Sequence, residues 1–200
     1  MSLLGRFSKD PGESHWVGVN QVFRYVIGTM RLRLYLGSGE GDLADSFSGF
    51  VDADFAGDSQ FQLTSGHIFC LGIGAVAWQS KKQSITALST ADAEFIASAA
   101  AIQELLWFRQ LISRLLRKAV LPPTVLHNDN AAALGSFFDD EYRPHSRHIG
   151  VKYYRARELV EDRSEVDMRY CSTGDMVADG LTKGLDRLKQ AAFVRMCGLV

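Results

Sequence analysis

Three strand-like runs, residues 47–55, 66–73 and 75–79, follow one another at short separations, and a long helical pattern comes directly after them. Short separations suit antiparallel pairing through hairpins. Ser89 stands as an N-cap with Asp92 three residues on, a short-armed capping box. Behind it Phe95, Ile96, Ala99, Ile102, Leu105, Leu106, Ile112 and Leu116 recur at helical spacing, a stripe that reads as core. Pro122-Pro123 stops that region, and residues 124–127 form a short strand running into Asp129. Helical patterning returns over 146–161, a strand follows over 165–170, and closing helices are expected at 175–181 and 185–196. That order predicts an α/β fold: a mixed sheet of five strands with helices packed on its faces.

The N-terminal part reads differently. Residues 11–28 predict a helix, with Trp16, Val19, Val22, Phe23, Val26 and Ile27 at helical spacing. Leu32, Leu34 and Leu36 alternate with Arg31, Arg33 and Tyr35, which predicts a half-buried strand. Gly37-Ser38-Gly39-Glu40-Gly41-Asp42 then reads as a linker. We therefore expect an N-terminal segment over 1–42 and a domain over 43–200.

At 46% apolar residues, with twelve phenylalanines and three tryptophans, 200 residues can bury a sizeable core. The charge is balanced, 22 Lys and Arg against 23 Asp and Glu, which excludes a surface uniformly basic for non-specific DNA binding. Cys70, Cys171 and Cys197 are odd in number and widely spaced, which suits a reducing compartment better than a disulfide framework. The longest apolar run, 68–78, is too short for a membrane span, and the N-terminus lacks a secretory core. A soluble intracellular chain without membrane partners is expected.

Four carboxylates adjoin apolar stretches that can deliver them to one place: Asp52, Glu94, Asp129 and Asp179. Crowded carboxylates repel, so such a group persists only around positive charge, and a pair of divalent cations is the natural candidate. All-oxygen ligands suit Mg²⁺, with Mn²⁺ as a substitute, rather than zinc. His145 and His148 offer zinc only two ligands and no nearby cysteine. Spacing alone does not choose four acids out of 23, since any one of them also reads as a turn or cap residue.

The choice comes from resemblance. Asp52-Ala53-Asp54-Phe55-Ala56-Gly57-Asp58, Thr64-Ser65-Gly66, Trp78-Gln79-Ser80-Lys81-Lys82-Gln83, Leu88-Ser89-Thr90-Ala91-Asp92-Ala93-Glu94-Phe95-Ile96-Ala97, Asp129-Asn130 and Ala178-Asp179-Gly180-Leu181-Thr182-Lys183 form an ordered set of landmarks. Over residues 47–185 they resemble the ribonuclease H domain of copia-like LTR retrotransposon Pol polyproteins. Arg6-Phe7, Pro11, His15-Trp16 and Arg24-Tyr25-Val26-Ile27-Gly28-Thr29 resemble the end of the reverse transcriptase region that precedes it. No Tyr-x-Asp-Asp polymerase motif is present.

The resemblance implies a ribonuclease H-like sheet, three antiparallel strands then two parallel, with helices on both faces. It also implies two-metal hydrolysis of the RNA strand of an RNA–DNA hybrid during reverse transcription. Asp52, Glu94, Asp129 and Asp179 match the family's acidic quartet. Asp52 would bridge both ions, Asp129 would hold the one that activates water, and Glu94 and Asp179 the other. The upstream reverse transcriptase segment of the same polyprotein is the implied partner. A histidine that related bacterial enzymes use shortly before the last Asp is absent from Tyr170-Cys171-Ser172-Thr173-Gly174-Asp175.

Phe55, Asp92, Gly150, Tyr154 and Gly184 depart from the family's usual residues. These departures keep a rival reading open, a domesticated non-catalytic module that binds nucleic acid or a protein. Arg143, Arg147 and Lys152 lie in a basic tract suited to backbone phosphates, or to a solvated helix face balanced by Glu158, Glu161 and Asp162. Lys81 and Lys82 suit phosphates or the protection of an edge strand.

Overall fold

The computed structural model describes residues 2–37, 45–55, 63–84, 87, 89–138, 147–161 and 163–200. Two compact units are present, Met1–Arg33 with Val200, and Leu34–Leu199. The boundary expected at 42 lies outside the described residues.

The first unit holds α1 (Ser2–Gly5) and α2 (Glu13–Thr29). Gly12 caps α2, and its backbone N–H donates to His15 Nδ1 at 2.9 Å. The apolar stripe read from the sequence is there, but α2 buries none of its side chains.

The second unit is built on β1 (Phe47–Asp54), β2 (Thr64–Leu71), β3 (Gly74–Lys82), β4 (Thr124–Asn128) and β5 (Val166–Tyr170). Its helices are α3 (Thr90–Leu116), α4 (Ala131–Phe138), α5 (Arg147–Val160), α6 (Asp179–Thr182) and α7 (Arg187–Met196). The sheet runs β3-β2-β1-β4-β5, antiparallel among the first three and parallel from β1 through β4 to β5. This is the expected mixed sheet of three antiparallel and two parallel strands.

Strand alternation sorts the core into two layers. Phe47, Val51 and Ala53 of β1 join Phe95, Ile102 and Leu105 of α3, with Leu159 of α5 behind them. On the opposite face Phe50 meets Ile68, Val177, Leu181 and Phe193. Helices therefore cover both faces.

The chain departs from the sequence reading in three places. Residues 32–36 do not make a strand: a single bridge links Leu34 to Leu199, and Leu36 is exposed. The helix expected at 175–181 shrinks to the one turn of α6, because Asp175 is used up in a local turn with Ser172. The unpredicted α4 begins where Asn130 Oδ1 accepts the Ala133 backbone N–H at 3.0 Å, a side-chain cap.

Candidate metal centre

The parallel pairing of β1 with β4 sets the site. Phe50 lies opposite His127, so continuing the register two residues brings Asp52 beside Asp129, at the carboxyl ends of neighbouring strands. Asp52 points to the Phe50 face and is fully buried. Asp129 follows the last residue of β4, where the Thr173 hydroxyl donates to its Oδ2 at 3.0 Å. Asp179 opens α6 on the same face of the sheet as Asp52. Ligand oxygens of Asp52, Asp129 and Asp179 all lie within 4.8 Å of one another.

Glu94 arrives from the other face, on the second turn of α3. Ser89 Oγ accepts the Asp92 backbone N–H at 3.0 Å, so the helix starts where the sequence places its cap. Glu94 lies outside the three-oxygen group but lines the same open hollow of about 550 Å³ as Asp52 and Asp129. Asn128 Nδ2 donates to Glu94 Oε2 at 3.1 Å, and the Ala53 backbone N–H also bonds this carboxylate. Burial, followed by the charge of Asp52, nevertheless pushes its pKa up from 4.5 to about 8. Burial also raises the pKa of Asp52, opposed by the Thr182 hydroxyl and the Lys183 ammonium.

Two of these neighbours, Thr182 and Lys183, lie in the 178–183 landmark without a role legible from sequence alone. Thr182 donates its hydroxyl to Asp52 Oδ2. Lys183 Nζ lies 2.9 Å from Asp179 Oδ1 and 3.2 Å from Asp52 Oδ1. Burial alone would lower the Lys183 pKa, but the hydrogen bond to Asp179 and the charge of Asp52 outweigh it and hold the amine protonated. What the sequence does hold is the spacing: Lys183 stands four residues after Asp179, one helical turn on.

The basic residues divide. Lys81 and Lys82 end β3, an edge strand of the sheet, and Lys81 is exposed. In the register Asp54–Thr64–Lys82 they share the sheet end that carries Asp52. Arg143 lies outside the described residues. Arg147 and Lys152 belong to α5, and their side chains fall outside the described ones.

The chain as a whole has relatives in sequence. In an alignment 201 positions long that covers all of this chain, it is 34% identical to the Retrovirus-related Pol polyprotein from transposon TNT 1-94 of Nicotiana tabacum. In a second alignment of 201 positions, also covering the whole chain, it is 31% identical to the Retrovirus-related Pol polyprotein from transposon RE2 of Arabidopsis thaliana. Its homologues are copia-like Pol polyproteins from transposons, and they cover this chain in full. The chain covers 14% of the length of each of those two relatives. It is similar to the structure of LC11-RNase H1 isolated from compost, with a TM-score of 0.49 and 14% identity, over 69% of this chain and 93% of that one. No protein-family model matches the chain. Among the described residues, no helix is long and apolar enough to cross a membrane.

Proposed function

We propose that this Pol segment is a ribonuclease H-type endonuclease that hydrolyses the RNA strand of RNA–DNA hybrids with two divalent cations, Mg²⁺ or Mn²⁺. One observation carries the reading: Asp52, Asp129 and Asp179, distant in sequence, bring oxygens within 4.8 Å of one another, and the first two of them line an open hollow. Its chemistry fits such ions, since every donor is a carboxylate oxygen and a cation, the Lys183 ammonium, is already drawn in between two of them.

When bound, the cations supply Lewis acidity and an activated water. The polypeptide's part is to fix the oxygens in advance. Asp52 is held rigid by burial in β1 and by the Thr182 hydroxyl. Asp129 is oriented by Thr173, and Glu94 by Asn128 and the Ala53 backbone. Asp52, Asp129 and Asp179 are the ligands in this reading, with Glu94 completing the set from the α3 side. Hybrid recognition falls to backbone phosphate contacts, for which Lys81, Lys82, Arg143, Arg147 and Lys152 are the candidates, and to the ribose 2′-OH groups that distinguish hybrid from duplex DNA. The N-terminal residues 1–42 are proposed as the tail of a reverse transcriptase region, whose upstream part would be the partner.

A labelled RNA–DNA hybrid incubated across a Mg²⁺ or Mn²⁺ titration tests this. The expected result is metal-dependent cutting of the RNA strand, none of duplex DNA, and loss of cutting in Glu94→Gln and Asp129→Asn. Hybrid binding without cleavage at every metal concentration would replace this reading with the non-catalytic one.

A further inference from the structure

Lys183 is placed where a metal ligand set would place its metal. Its ammonium touches Asp179 Oδ1 at 2.9 Å and Asp52 Oδ1 at 3.2 Å, and both carboxylates belong to the three-oxygen group. The geometry points to Lys183 as a resident cation: it fills the position between Asp52 and Asp179 in the metal-free chain, and a divalent ion binds there only by displacing it. This rests on the metal-centre reading above and adds a competitor to it.

The anchoring of the turn makes the competition effective. Ser80 Oγ donates to the Leu181 carbonyl at 2.6 Å, and the Lys183 backbone N–H donates to the Asp179 carbonyl at 2.9 Å. Gly66 lies beneath, leaving room for Thr182 and Leu181, which a Cβ at that position would meet at 2.7 and 2.9 Å. The base of Lys183 is thus fixed against β2 and β3, and a tethered ammonium presents itself at high effective concentration. Its far end is free to leave, because the side chain is 38% exposed.

The two cations exclude each other. Mg²⁺ takes carboxylate oxygens at about 2.0–2.1 Å, inside the space an ammonium hydrogen-bonded to the same oxygens occupies. Like charges so close repel strongly in a half-buried site. Lys183 therefore holds the acidic group together when metal is scarce and raises the concentration at which metal enters.

Calorimetric titration of Mn²⁺ into the hybrid-free chain tests the competition. Lys183→Met, which keeps the apolar stem and drops the charge, should bind Mn²⁺ about tenfold more tightly than the wild type, since the fraction of chains open to metal rises. Lys183→Arg, which keeps the charge, should stay near wild type. Equal or weaker Mn²⁺ binding by Lys183→Met overturns the inference while leaving the nuclease reading in place. If neither the wild type nor any variant binds Mn²⁺, the metal-centre reading falls and takes this one with it. Should the methionine variant fail to melt cooperatively in EDTA, amine acylation of the wild type decides. Mn²⁺ should speed labelling of Lys183 several-fold relative to the exposed Lys81, and unchanged or slower labelling overturns the displacement.

Discussion

Asn128 ties Glu94 to the end of β4: its Nδ2 donates to Glu94 Oε2 at 3.1 Å while its Oδ1 accepts the Asn130 backbone N–H at 2.7 Å. The side chain is fully buried, so neither bond has a water to replace it. Asn128→Ala would leave the buried Glu94 side chain with only the Ala53 backbone N–H and would leave the Asn130 backbone N–H without its acceptor. A loss of about 1–3 kcal/mol is expected, read from the midpoint of urea unfolding in EDTA. Hybrid cleavage should fall as well, because Glu94 loses its orientation. An unchanged midpoint would show that the pairing does not support the fold.

Glu94 gives the metal-free chain a pH dependence of definite sign. Its pKa is about 8 in the folded chain against an ordinary 4.5, so between those values the folded state binds more protons than the unfolded one. Stability then falls as pH rises through that window, by at most about 1.4 kcal/mol per pH unit from this group. Glu94→Gln keeps an acceptor for Asn128 and removes the charge. In EDTA at pH 8 the variant should melt higher than the wild type, and its stability should vary less between pH 5 and pH 8. Parallel melting curves across that range would contradict the burial of a reluctant carboxylate.

Much of this arrangement could be read from the residues, and the part that could not has a physical cause. Hydrophobic periodicity and the Ser89 cap located α3, and hairpin-length gaps gave the antiparallel half of the sheet, because these signals are local. The reading missed α4, whose run Ala131-Ala132-Ala133-Leu134-Gly135-Ser136-Phe137-Phe138 is too apolar to show an amphipathic face, although Asn130 ahead of it was a usable cap signal. Leu32, Leu34 and Leu36 misled because alternation says nothing about whether a partner strand exists. The four acids were chosen through family resemblance. What periodicity could not supply was the β1–β4 register, which sets Asp52 beside Asp129, or the fold of the 179–183 turn, which adds Thr182 and Lys183. The contacts of that turn with Asp52 reach across 130 and 131 residues of chain.

The turn is sensitive to the strand beneath it. A methyl group at Gly66 would meet Thr182 Cγ2 at 2.7 Å, Leu181 Cβ at 2.9 Å and the Ala178 carbonyl at 3.4 Å. Only the first of these is the end of a side chain, so the turn itself must move. Gly66→Ala should lift Asp179 and Lys183 away from Asp52, costing about 1–3 kcal/mol of stability. Mn²⁺ affinity should drop by more than the global destabilisation explains, which titration under folded conditions would reveal. A variant with native Mn²⁺ affinity would mean that the turn absorbs the methyl group without disturbing the carboxylates.

Arg109 offers the opposite case, stability without chemistry. It is buried on α3, where Nη1 donates to the Pro122 carbonyl at 2.6 Å and to Thr124 Oγ1 at 2.7 Å, and Nη2 to the Leu121 carbonyl at 3.3 Å. Glu165 Oε2 stands 3.8 Å from its Nε. These bonds clamp the start of β4 to the helix, roughly 17 Å of strand away from Asp129 at about 3.3 Å per residue. Arg109→Met fills much of the same space but leaves several acceptors unpaired, for an expected loss of about 2–3 kcal/mol in chemical denaturation. Because the far end of β4 is held separately by Asn128 and by pairing with β1 and β5, Mn²⁺ affinity and cleavage per folded molecule should match the wild type. A selective loss of metal binding in this variant would mean that the clamp sets the position of Asp129 through the length of the strand.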